Sequence, residues 1–179
     1  MRMQESGKHF VLYYMLGFFA GIMYANLLAK DYIASMGILN EFFLNQYSAD
    51  DINTAEYLWY VTRIRVFPAL ILGAFGCSYV RKGAVAAFLL WTGFSSGLIF
   101  TSAVMKMGIK GIILCLMALI PQFLFYIAGY LALLWYLYEY PRIHWNLTKT
   151  VIFLLLLAVG ILLECYVNPV IMQLFIHTL

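Results

Sequence analysis

Apolar residues fall in five long blocks, separated by short charged or polar connections. The blocks cover about 10–28, 66–80, 84–104, 111–138 and 150–167. A bilayer crossing takes about 20 apolar residues, so each block is read as a membrane span, the short second one borrowing from 62–65 by snorkelling. The pattern predicts an all-α protein: one polytopic bundle of about five spans, with no separate soluble domain. The fourth block carries no Asp, Glu, Lys or Arg and holds Pro121 and Gln122 at its middle. A proline at bilayer depth frees a carbonyl one turn back, near Met117. A kink is expected there, with the Gln122 amide bonded to a neighbouring helix.

Between the first two spans, 30–65 breaks the pattern. It holds most of the acidic residues, yet Ile33, Met36, Asn40 and Phe43 recur at helical spacing. Ser48 followed by Asp50 and Asp51 has the form of a helix start. Ile52, Ala55, Trp59 and Thr62 continue an apolar face. One or two amphipathic helices lying on the membrane surface are predicted, with Tyr57, Trp59 and Tyr60 at headgroup level. Such a region serves as a connector or as a docking surface, and Phe42, Phe43, Asp51, Tyr57 and Trp59 are its candidate contact residues.

Small residues recur one turn apart inside the spans. They are Gly17 and Gly21 in the first, Ala69, Gly73 and Cys77 in the second, and Gly93 and Gly97 in the third. Gly108 and Gly111 flank the next turn. That spacing lets helix backbones approach closely, so these glycines are read as packing positions. Pro68 is placed in the first turn of the second span, where a missing N–H costs little. The fifth span contains Glu164, then Asn168 and Pro169. A charge at mid-bilayer costs about 2.5–3.5 kcal/mol, so Glu164 is expected to be protonated or paired, holding helices together, or to line an ion or substrate path. Arg63, Arg65, Lys106 and Lys110 are the cations available to it. Pro169 is expected to end or kink the span.

Composition removes whole classes of function. Of 179 residues, 65% are hydrophobic and 11% charged. Soluble domains carry about 25% charged residues, so this chain belongs in a lipid bilayer. A net charge of +3 gives no reason to expect a nucleic-acid partner. Cys77, Cys115 and Cys165 lie in apolar runs without a CxxC pair and read as small buried residues. Residues 93–97 spell G-x-S-x-G, but inside a span, not at the strand-to-helix turn that a nucleophile elbow needs. No enzyme activity, cofactor or metal site is expected. The Asn146-Leu147-Thr148 sequon faces the cytoplasm in the preferred orientation. Basic residues favour an inside N-terminus and an outside C-terminus by a margin of about one residue.

The order of these features resembles the stage II sporulation protein M family of endospore-forming bacteria. Gly17, Gly21 and Asn26 match its G-x-x-x-G-x-x-x-x-N arrangement, and Lys82-Gly83 its K-G turn. Met107 to Gly111 precedes Pro121-Gln122 at the family's interval, and Glu164-Cys165-Tyr166-Val167-Asn168-Pro169 resembles its E-A-Y-V-S-P. Phe123 stands where the family often has Asn, and the connection before the fifth span is shorter. The resemblance implies a non-catalytic scaffold in the cell membrane. Its partners would be stage II sporulation proteins D and P, which cleave peptidoglycan during engulfment. The alternative is a membrane subunit of an ABC-type exporter, using Glu164 and Gln122 along a path and requiring a separate ATPase partner.

Overall fold

A computed structural model describes residues 2–28, 54–76, 79–140 and 146–176. Every element among them is helical. The elements are α1 (Arg2–Leu27), α2 (Thr54–Gly76), α3 (Arg81–Met107), α4 (Ile109–Leu119), α5 (Gln122–Glu139) and α6 (Leu147–Leu162). A π-helical turn, Leu163–Val167, then leads into α7 (Asn168–Ile176). Four stretches are long and apolar enough to cross a membrane: Gly7–Leu27, Ala55–Phe75, Arg81–Met107 and Leu147–Leu174. The pair α4 and α5 supplies a fifth if its two bent halves are one span. Val11, Leu12, Leu16, Phe19, Leu70, Trp91, Leu154, Leu155 and many other large apolar side chains are exposed. Water would not tolerate that surface and lipid covers it, so the protein is a multi-pass membrane protein.

Three boundaries differ from the sequence reading. The helix of the second span starts at Thr54, so 54–65 is no separate surface helix but the first half of α2. Pro68 therefore sits inside that helix, not in its first turn. The last span does not end at Asn168: it continues as helix past Pro169. The wide turn explains why. A proline ring clashes with the carbonyl four residues back and has no N–H to give it. Here the turn before it is opened by one residue, and the Asn168 N–H reaches the Leu163 carbonyl five positions back. Phe42, Phe43, Asp51 and the rest of the predicted surface helices up to residue 53 lie outside the described residues.

The chain divides into two compact units. The first includes α1, α3 from Ala86 and α4 to Leu116. On α1, Phe10, Gly17, Gly21 and Ala25 form one buried stripe. A Cβ on Gly17 would run into the Leu90 carbonyl oxygen, and one on Gly21 into that of Phe94. Reciprocally, Gly93 lies against the Tyr14 carbonyl and Gly97 against that of Phe18. The pairs advance together along both helices, so α1 and α3 are parallel and packed backbone to backbone. The Tyr14 hydroxyl and Ser96 Oγ, 2.8 Å apart, pin the seam. Thr92, Thr101 and Ser102 donate to carbonyls of their own helix, which satisfies them without water. Gly111 closes on the Ala103 carbonyl. Gly108 meets nothing within 4 Å. What it supplies is a left-handed backbone, φ 62°, that ends α3 while its N–H caps the Val104 carbonyl.

The second unit includes α2, the start of α3, α4 from Met117, α5, α6 and the π-helical turn. Its core is Val61, Tyr126, Leu157, Ile161 and Cys165, ringed by Tyr57, Leu58, Val66, Tyr130 and Phe153. Helix α5 runs antiparallel to α6: Tyr130 meets Phe153, while Tyr126 meets Gly160 and Glu164. At the membrane edge, the Arg81 guanidinium stacks 4.2 Å above the Tyr140 ring, and the Lys82 ammonium lies 5.5 Å from Tyr138. These cation–π contacts tie the start of α3 to the end of α5.

Candidate functional site

Glu164 sits in the π-helical turn, and Arg65 is the cation that meets it. Both carboxylate oxygens are engaged. Arg65 Nη2 donates to Oε1 at 2.6 Å and Arg65 Nε to Oε2 at 3.0 Å. The Tyr126 hydroxyl donates to Oε2 at 2.7 Å. The guanidinium also lies 4.8 Å from the centre of the Tyr126 ring. A two-pronged Arg–carboxylate pair with a third donor is strong and geometrically specific. It joins three elements: α2 through Arg65, α5 through Tyr126, and the last span through Glu164. Arg63, two residues away on α2, is exposed.

Local structure builds this clasp. Gly160 lies one turn before Glu164, and a Cβ there would come within 2.6 Å of Tyr126 Cε1. Its bare backbone admits the tyrosine ring against α6 and brings the hydroxyl to the carboxylate. Pro68 leaves the Ile64 carbonyl without its helix donor. At the next carbonyl, that of Arg65, the Tyr130 hydroxyl donates from α5. Tyr126 and Tyr130 are one turn apart, so one face of α5 serves both the Arg65 backbone and its ion pair.

The other sequence candidates fall in different places. Pro121 and Gln122 mark a break between α4 and α5, bent by 65°. Gln122 is buried, and its Nε2 donates to the Ala118 carbonyl of the preceding helix. That replaces the expected bond to a neighbouring helix: the amide mends the break that Pro121 makes. Asn168 is buried one turn past Glu164, and Pro169 follows it without stopping the helix. Tyr57 packs against the second unit's core, while Trp59 is 71% exposed. Gly93 to Gly97 lies mid-helix, with Ser96 Oγ donating to the Gly93 carbonyl. Tyr126, Tyr130 and Gly160 were not singled out from sequence. The signal was there as Tyr126-x-x-x-Tyr130 in an uncharged span and Gly160-x-x-x-Glu164 in another.

Chemically, the cluster is a closed, charge-neutral clasp. Each carboxylate oxygen has a short donor, and the guanidinium has a ring face and a carboxylate. Such a group holds helices at a defined register. Comparison of the chain with protein families, curated proteins and solved structures finds no match.

Proposed function

We propose that this protein is a non-catalytic membrane scaffold that holds cell-wall hydrolases at the membrane. The observation that carries the scaffold reading is the clasp: the charges of Arg65 and Glu164 are spent on joining three helices, with Tyr126 as the third partner. The glycine seam between α1 and α3 supports it, because backbone contact along a whole span makes a rigid platform. The more specific role rests on the motif resemblance to stage II sporulation protein M. On that basis the protein sits in the bacterial plasma membrane, with its N-terminus inside and its C-terminus outside. It recruits stage II sporulation proteins D and P during engulfment, with 31–53 as a principal contact segment.

Co-purification from sporulating cells, at matched membrane levels, tests this. The peptidoglycan hydrolases are expected to follow the wild-type chain and to be lost from a variant with the polar positions of 31–53 scrambled. Full recovery from that variant would place docking elsewhere, and no recovery with the wild type would end the scaffold reading. A second reading, a transport subunit working with an ATPase, is favoured by the bent pair α4–α5, since interrupted spans commonly line substrate sites. Capture of an ATPase in place of the hydrolases would decide for it.

A further inference from the structure

At one end of the second unit, two cations stand without a counter-charge. Arg81 and Lys82 are the first two residues of α3, and Arg81 opens a candidate membrane span, so both lie at headgroup level. The Arg81 guanidinium lies 4.2 Å from the centre of the Tyr140 ring and the Lys82 ammonium 5.5 Å from that of Tyr138. A ring face orients a cation but neutralises none of its charge. Neither residue makes a hydrogen bond or an ion pair with any described residue. The surroundings add to the positive potential. The first turn of α3 holds no acid, so both cations sit at the positive end of the helix dipole, the reverse of the favourable arrangement. Because α5 and α6 are antiparallel, Lys149 in the first turn of α6 lies at the same end of the bundle as the close of α5. Glu139 is the one acid at this end among the described residues. The sequence of the connection 141–145 contributes Arg142 and no acid.

What balances this edge has to be anionic and has to lie at the depth where a span ends. An anionic phospholipid meets both needs. Its phosphate sits at the level of the tyrosines that mark span ends, and its oxygens suit the paired N–H groups of a guanidinium. Basic recesses between membrane helices recognise such headgroups by charge. An acidic protein segment would supply the same charge, but lipid is present at this depth whatever else the protein meets. We propose that Arg81 and Lys82, braced by Tyr140 and Tyr138, form a binding site for the headgroup of an anionic phospholipid. Arg81 bonds the phosphate and Lys82 adds a second positive charge. The bound lipid offsets the charge at the start of α3 and strengthens its hold on the end of α5. The site stands whether the protein is a scaffold or a transport subunit.

The test is native mass spectrometry of the full chain, delipidated in detergent and titrated with phosphatidylglycerol or phosphatidylcholine. Phosphatidylglycerol should bind about tenfold more tightly, since phosphatidylcholine offsets its phosphate with its own ammonium. Arg81→Gln and Lys82→Gln should each weaken phosphatidylglycerol binding about fivefold, and the pair about thirtyfold, with phosphatidylcholine nearly unchanged. Tyr140→Leu keeps both charges but removes a brace, and should weaken binding about two- to fivefold. Arg63→Gln, at an exposed cation elsewhere in the same unit, should leave binding unchanged. Equal binding of the two lipids by the wild-type chain overturns the proposal. So does a loss with Arg63→Gln as large as with Lys82→Gln, which would mean diffuse charge and no site. Displacement of the lipid by an equal concentration of inorganic phosphate overturns it too, because the site would then take a free anion. Lys82 is exposed, so Lys82→Gln decides the matter even where Arg81→Gln does not fold.

Discussion

Glu164→Leu is expected to be among the most damaging single substitutions in the spans, costing about 2–4 kcal/mol. It removes the acceptor for both Arg65 contacts and for the Tyr126 hydroxyl, and strands a guanidinium whose side chain is only 35% exposed. Arginine stays charged in proteins, so the stranded group has no neutral form to fall back on. Arg65→Leu should be milder by about 1–2 kcal/mol, because a lone carboxyl can take up a proton and still bond Tyr126. The double variant should recover much of the loss, since apolar replacement of a whole buried pair is often neutral. Glu164→Gln keeps hydrogen bonds without the charge and should fall between wild type and Glu164→Leu. Tyr126→Phe, which loses one bond, should cost about 0.5–1.5 kcal/mol. The measure is the folded fraction through a denaturant or heat series in lipid. If the two leucine substitutions simply add, the pair is uncoupled and the clasp is not a structural lock.

The glycine seam gives the second large effect. Gly17→Ala, Gly21→Ala, Gly93→Ala and Gly97→Ala each drive a methyl group into a carbonyl oxygen of the opposite helix. Neither side can yield by rotating a side chain, so the helices must separate. Each should cost about 1–3 kcal/mol, as overpacking does. Pairs should be less than additive, because the first substitution already opens the seam for the second. Gly73→Ala is the internal control. Nothing lies within 4 Å of a Cβ there, and alanine is the better helix former by about 1 kcal/mol. It should be neutral or stabilising. A Gly17→Ala protein that melts like Gly73→Ala would show that α1 and α3 do not pack through their backbones.

That contrast shows where sequence reading runs out. Gly17, Gly21, Gly73, Gly93, Gly97 and Gly108 look alike along the chain: small residues at or near helical spacing. Four of them face a carbonyl, one faces open space, and Gly108 is required by its own backbone angle. Spacing fixes which residues share a face but not which face meets another helix. The same holds for Glu164. Its need for a partner was legible, because the cost of a bare charge in lipid depends only on depth. Which of four cations would meet it was not, since that depends on how α2 is placed against the last span.

What the sequence by itself determined is the membrane class, the helical spans and the positions under stress: Pro121, Gln122, Glu164 and Pro169. These follow from local rules, namely hydropathy over about 20 residues and the backbone chemistry of proline. The tertiary structure alone decided how each stress is relieved. The Gln122 amide turns back to the Ala118 carbonyl, the turn before Pro169 widens to five-residue bonding, and Arg65 with Tyr126 closes on Glu164. The physical reason is that buried polar groups demand partners without naming them. In a bilayer the partner must come from whatever helix packing brings within about 3 Å.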